Sequence, residues 1–134
     1  MTEPRKIASN PPGVAKPIRG YYSNSVRVSA GPLLFIAGQV ALDPEGRIVG
    51  KGDVRAQTVQ VLENIRTILR AHGADMQDVV SITVYVTDMG VLDRITDIRM
   101  QYFPANGPAS AIVEIAKLAM PELLIEISAV AAIP

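Results

Sequence analysis

The sequence predicts an α+β fold in which two helices pack on one face of a mixed β-sheet. Three observations carry that prediction. Two stretches, Asp53 to about His72 and Asp88 to about Phe103, place apolar residues at helical spacing. Shorter runs, of which Val79 to Val86 is the clearest, alternate or stay apolar as strands do. Clusters of Gly, Pro and Asp separate the two kinds of segment and give the order β-β-(β)-α-β-α-β-β.

Residues 1 to 20 contain Pro4, Pro11, Pro12, Gly13, Pro17 and Gly20, and read as an extended, irregular arm with room for strand only in short pieces. Ser25 to Ser29 alternates as a strand, Ala30-Gly31-Pro32 turns the chain, and Leu33 to Ala37 forms a second strand, so the two make a hairpin. Asp43-Pro44-Glu45-Gly46 is a turn by composition, with Arg47-Ile48-Val49 a short strand after it. Asp53 caps the first helix and Gly73 stops it; Val54, Val61, Leu62, Ile65, Ile68 and Leu69 form its buried stripe. In the 79–86 strand, Val80, Ile82, Val84 and Val86 share one face, and Ser81, Thr83 and Tyr85 the other. Asp88 opens the second helix, whose inward residues are Val91, Leu92, Ile95, Ile98, Tyr102 and Phe103. Ile112 to Ile115 and Leu124 to Ala131 complete the strands.

Composition bounds the function. At 134 residues the chain reads as one domain, and its core is aliphatic: 49% of residues are hydrophobic and only 4% aromatic. Thirteen basic and 13 acidic residues cancel, so the broad basic field that nucleic-acid binding requires is lacking. The chain has no Cys, which excludes disulfides, thiol nucleophiles and thiolate metal sites. With one His besides, no metal site is expected. The first residues form no apolar leader and no run is long enough to span a bilayer, so a soluble cytoplasmic protein without membrane association is the expectation.

Glu126 is the residue that invites chemistry. It lies within the apolar run Leu123 to Ala132, where Leu123, Ile125, Ile127, Ala129 and Ala131 share one face and Leu124, Glu126, Ser128, Val130 and Ala132 the other. A carboxylate there is paired, neutral, at a wet edge or facing a pocket, because an unpaired buried charge is costly. Two helices cover one side of a sheet only, so self-association into a closed homo-oligomer is the economical cover for the second.

Taken together, several ordered blocks make the chain similar to a known family. They include Tyr22-Ser23-Asn24-Ser25-Val26, Phe35-Ile36-Ala37-Gly38-Gln39-Val40, Gln57-Thr58, Val84-Tyr85-Val86-Thr87-Asp88-Met89, Gly107-Pro108-Ala109-Ser110 and Ile125-Glu126-Ile127. In order and spacing, from Tyr22 to the end, the chain resembles the Rid family, also called YjgF or reactive-intermediate deaminases. The resemblance implies a chorismate-mutase-like fold and a homotrimer whose sheets line a central barrel, with small-ligand clefts at the subunit interfaces. It also implies cofactor-free hydrolysis of reactive enamines or imines, such as 2-aminoacrylate, to a ketoacid and ammonia. Carried over residue by residue, the family's water-positioning Glu falls on Glu126, its Tyr on Tyr22 and its ligand-facing Gly on Gly38. The family's carboxylate-binding Arg does not carry over: Pro-Ala-Arg-Ser becomes Pro108-Ala109-Ser110-Ala111, and the small polar residue two positions later becomes Ile112. A hydroxyl cannot replace a planar bidentate guanidinium, so this departure argues against 2-aminoacrylate itself.

Each candidate has a plainer alternative. Glu126 is a general acid or base, or a structurally paired carboxylate. Arg99, at the edge of the second helix's buried stripe, either turns into a cleft as a substitute cation or lies exposed with its stem on the helix, and Arg19 from a neighbouring chain is the other cation open to that role. Tyr22 is a ligand wall or a packing residue with one polar tip. Gly38 admits a ligand to a backbone N–H or serves a bulge. Ser110 lacks a sequence-near base, so a Ser-His hydrolase is not supported; His72 reads as a helix-terminal residue. Asp75, Asp78, Asp88, Asp93 and Asp97 read as caps and surface. The expected function is a Rid-type hydrolase acting on an enamine or imine other than 2-aminoacrylate, with Ser110 and Ile112 making its cleft more apolar than usual. The alternative is a non-catalytic metabolite-binding or regulatory trimer; a nuclease, an activity also known in the family, ranks third because the net charge is zero.

Overall fold

Gln57 and Asn64, two polar residues on one helix, tie the layers of this fold together. A computed structural model describes residues 4–17 and 19–134. Helix α1 spans Val54–Ala71; the Asp53 side chain accepts from the N–H groups of Arg55 and Ala56, and Gly73 follows the end at φ 73°. Its expected stripe is buried, apart from the half-buried Ile68, and fully buried Gln57 and Thr58 extend it. Gln57 donates to the carbonyls of Gly50 and Glu122 and accepts from the N–H of Leu124, so a buried amide is fully satisfied and the last strand's entry is fixed. Asn64 donates to the carbonyls of Val40 and Leu42 and holds the exit of the third strand.

The main sheet has four strands: β3 (Leu33–Gln39), β4 (Val79–Val86), β5 (Ala109–Glu114) and β6 (Ile125–Ala132), in the order β3-β6-β4-β5. β4 and β5 run parallel; the β3–β6 and β4–β6 pairs are antiparallel. Helix α2 (Leu92–Tyr102) follows a 3₁₀ turn, Met89–Val91, capped by Asp88. Its inward residues Ile95, Ile98 and Phe103 join α1 and the buried face of the sheet in one core. Alternation places the faces as the sequence indicates: Ile82, Val84, Ile125, Ile127 and Ala129 are buried under the helices. Ser81, Thr83, Tyr85, Glu126, Ser128 and Val130 line the open face and are half-buried.

The arm contributes β1 (Lys6–Ser9), which pairs antiparallel with β2 (Ser25–Val28) in a separate two-stranded sheet. Met1 to Glu3 and Ile18, within the expected irregular arm, lie outside the described residues. The expected hairpin between β2 and β3 does not form. Gly31 adopts φ 95° and the chain passes at Pro32 from the small sheet to the large one, where the Pro32 carbonyl accepts from Ile133 N–H. The arm outcompetes the hairpin because it brings two anchors: Arg5 pairs with Asp78 at 2.6 Å and Lys6 donates to the Val79 carbonyl. β6 in turn offers β3 a long apolar partner. Arg47 to Val49 reduces to one bridge, Leu42 with Ile48. β5 begins at Ala109, three residues before the expected Ile112, because parallel pairing with β4 starts as soon as Pro108 is passed.

Candidate functional site

Helix α2, strand β5 and the segment before β2 enclose a cavity of about 570 Å3. Tyr22, Arg99, Ser110 and Ile112, four of the residues singled out from sequence, all line it. Local packing explains why they meet. Ser110 and Ile112 lie on the helix-facing side of β5, in register with Ile82 and Val84. The preceding segment is stitched to the start of β5: Gly107 N–H donates to the Gly20 carbonyl, Ser23 N–H to Pro108, and the Ser23 hydroxyl to Gly107. A Cβ on Gly107 would overlap the backbone of Tyr21 and Tyr22, so only glycine lets the two segments approach this closely. Tyr21 and Tyr22 then stand edge to face, with ring centroids 5.3 Å apart.

Arg99 is the distinctive group of this cavity. The exposed alternative is overturned: the residue is only 2% exposed. Its Nη2 donates to Ser110 Oγ at 2.8 Å, and its guanidinium carbon lies 4.9 Å from the Tyr21 ring centroid. Its buried Nε has no hydrogen-bond partner, and among the described residues no carboxylate forms an ion pair with it. Burial pushes this guanidinium down from its ordinary value, opposed by Tyr21 and Tyr22. Arg19, Leu92, Asp93 and Thr96 complete the lining. Leu92, Thr96 and Arg99 recur at i, i+4 and i+7 on one helix face, and that spacing is the sequence signal that groups them on this lining.

Glu126 and Gly38 form a second cluster. Glu126 lies on the open face of β6, opposite Tyr85 of β4. β3 carries a bulge between Ile36 and Gln39, which brings Gly38 against the Glu126 carboxylate; a Cβ on Gly38 would overlap it. Gly38 therefore occupies a bulge, and its missing side chain makes space for the carboxylate. Glu126 makes no hydrogen bond or ion pair with the described residues. Within one chain the two clusters stay apart: Ser110 and Glu126 are separated by β4 and point to opposite faces of the sheet.

The remaining candidates have structural partners. Asp75 caps the 3₁₀ turn Met76–Asp78, Asp78 closes its capping box, Asp88 caps the turn before α2, and Asp97 pairs with Arg55 at 2.8 Å. His72 is the C-cap of α1. No group of three or more potential metal-ligating residues clusters among the described residues. No helix among them is long and apolar enough to cross a membrane.

With this geometry in place, comparison with known proteins decides the family. The model of the endoribonuclease L-PSP family matches residues 14–133. The chain belongs to that family. Among its relatives, a RutC family protein from Pyrococcus horikoshii is 44% identical over 116 residues, covering 87% of this chain and 89% of that one. Protein DfrA from Myxococcus xanthus is 39% identical over 99 residues, covering 74% of this chain and 76% of that one. A conserved Rid family protein from Yersinia pestis superposes with a TM-score of 0.89 at 37% identity, covering 96% of this chain and 99% of that one. A YjgF/YER057c/UK114 family member from Mycobacterium tuberculosis gives a TM-score of 0.68 at 35% identity, over 84% and 86% of the two chains. The two helices, the mixed four-stranded sheet and the small sheet are thus the chorismate-mutase-like arrangement of the L-PSP/Rid family.

Proposed function

We propose that this L-PSP/Rid family member is a hydrolase that releases ammonia from an enamine or imine other than 2-aminoacrylate, in clefts between the chains of a homotrimer. The observation that carries the reading is Glu126: a carboxyl group on the open sheet face, seated against Gly38 and without a partner among the described residues. A carboxyl group left free in this way is available for proton transfer. Protonated, it gives its proton to the enamine carbon and leaves an iminium. Ionised, it takes a proton from water as the oxygen attacks the C=N carbon. The carbinolamine then collapses to a carbonyl and expels ammonia, so one imine and one water give one carbonyl compound and one ammonia.

The same face supports self-association. Phe35 is 74% exposed and Leu33 is exposed beside it on β3, while Val113 is exposed on β5 at the opposite edge of the same sheet face, the side the helices leave open. Because the Arg99 cavity and Glu126 lie on opposite faces of one sheet, a cleft that uses both takes them from different chains. With Ser110 where family members carry Arg, the cavity has room for a branched or aromatic side chain against Ile112 and Leu92. The family description names an endoribonuclease, but a chain with 13 basic and 13 acidic residues supplies no broad basic field for RNA. Glu126→Gln is expected to lower ammonia release roughly 10²-fold or more while leaving the oligomer intact. Unchanged turnover in that variant counts against the proposal.

A further inference from the structure

We infer that Lys6 is a reactive amine in a second cavity, and that an aldehyde bearing an anionic group condenses on its Nζ to form an imine. The inference is independent of the proposed hydrolase. Strand β1, the 3₁₀ turn Met76–Asp78 and the loop from Phe103 to Gly107 enclose a space of about 810 Å3, which shares no lining residue with the α2–β5 cavity. Lys6 is one of four lysines in the chain. Lys16, Lys51 and Lys117 are exposed, whereas Lys6 is half-buried in this lining. Its Nζ donates to the Val79 carbonyl at 2.9 Å; with the pairing of β1 to β2, that bond fixes the amine at the cavity wall.

Lys6 has no counter-ion of its own. It makes no ion pair among the described residues. Asp78 is the acid that acts on it, but both Asp78 oxygens are taken: Oδ1 by Arg5 at 2.6 Å, Oδ2 by the Asp75 N–H at 2.9 Å. Asp75, the other acid of the lining, is held by Arg70 and by the Met76 N–H. An ammonium placed there keeps its desolvation cost without a matching anion, which favours the neutral amine, the form that attacks a carbonyl carbon. Burial accordingly pushes the Lys6 amine down from its ordinary value, against the pull of Asp78. Arg66 lines the same space; it gives Nη1 to Glu63, while its Nε is buried without a hydrogen bond, 3.6 Å from Asp75. Arg5, Lys6 and Arg66 face Asp75 and Asp78 across this lining, so the balance of charge favours an electrophile that carries an anion.

In the step itself, the lone pair of neutral Nζ bonds to the aldehyde carbon as the carbonyl electron pair moves to oxygen. A proton passes from nitrogen to that oxygen through solvent, giving a carbinolamine. The nitrogen lone pair then forms the C=N bond and expels the oxygen, which leaves as water. Overall, one Lys6 ammonium and one aldehyde give one iminium and one water. The iminium retains one N–H, enough to keep the bond to the Val79 carbonyl.

The test incubates the intact protein with 4-oxobutanoate, or with uncharged butanal, in the presence of cyanoborohydride. The reductant converts any iminium to a stable secondary amine, and peptide mass spectrometry follows the labelling of each lysine with time. With 4-oxobutanoate, Lys6 is expected to label roughly tenfold faster or more than Lys16, Lys51 and Lys117. Butanal is expected to show a smaller preference, Lys6→Arg to lose the fast label, and urea-unfolded protein to label all four lysines alike. Equal labelling of the four in the native protein overturns the reactive amine, and so does a fast label that survives in Lys6→Arg. A preference for Lys6 that persists in urea belongs to the local sequence and overturns the role of the cavity. A preference as large with butanal as with 4-oxobutanoate overturns the anionic class.

Discussion

At the scale of single residues, the unusual charge state of the cavity has a consequence for stability. Desolvating a cation that has no counter-ion costs free energy, and replacing such a group by an apolar one of similar volume is often neutral or stabilising. Arg99→Met is therefore expected to leave the thermal midpoint of the ligand-free protein unchanged or to raise it, whatever it does to binding. A drop of several degrees would mean that the cation–π contact with Tyr21 and the Ser110 hydrogen bond outweigh the desolvation cost. Arg99 also marks where sequence reasoning runs out. A residue at the edge of an apolar stripe can lie along the surface or turn inward, and its helix does not decide between them. The decision rests on Ser110 across the cavity and on Tyr21 at the other end of the chain's path. Glu126 was easier to read, because a carboxylate inside a strand's apolar run is conspicuous and strand alternation assigns its face.

At the scale of elements, two glycines make opposite predictions. At Gly107 an added methyl meets the backbone of Tyr21 and Tyr22, which cannot move without breaking the stitch to β5. Gly107→Ala is expected to cost about 1–3 kcal/mol in denaturant unfolding, as overpacking does. At Gly38 the added methyl meets the tip of the Glu126 side chain, which can swing away. Gly38→Ala is expected to unfold at nearly the native denaturant concentration and to lose most of the turnover, because the carboxylate is displaced. Equal stability losses in the two variants would contradict this distinction. The elements themselves were largely legible. Asp53 and Gly73 bracket α1 as cap and stop, and the alternation in β4 assigns its faces. The partners of β2 and β3 were not, since a strand's composition indicates pairing without saying with whom. The Arg5–Asp78 ion pair that favours β1 for β2 joins residues remote in sequence.

At the scale of the whole molecule, the two clusters lie on opposite faces of one sheet, so a cleft that used both would draw on two chains. Arg99, Ser110, Ile112 and Tyr22 gather on the helix side at the β5 edge, while Glu126 and Gly38 sit on the open face beside β3. If each active cleft takes Glu126 from one chain and the α2–β5 cavity from the next, two inactive variants can complement. Mixed oligomers of Glu126→Gln and Arg99→Met chains are expected to recover up to about a quarter of native turnover, the random-mixing share of clefts with both groups intact. No recovery on mixing, with mixed oligomers confirmed by mass, would place both groups in one chain's site or remove one of them from the chemistry. The measurement that tests the central claim most directly is ammonia release by the native protein from freshly generated imines of small, branched and aromatic amino acids. Turnover of the branched or aromatic imines with little on 2-aminoacrylate is the expected result; release from none of them would contradict the hydrolase and leave a metabolite-binding protein.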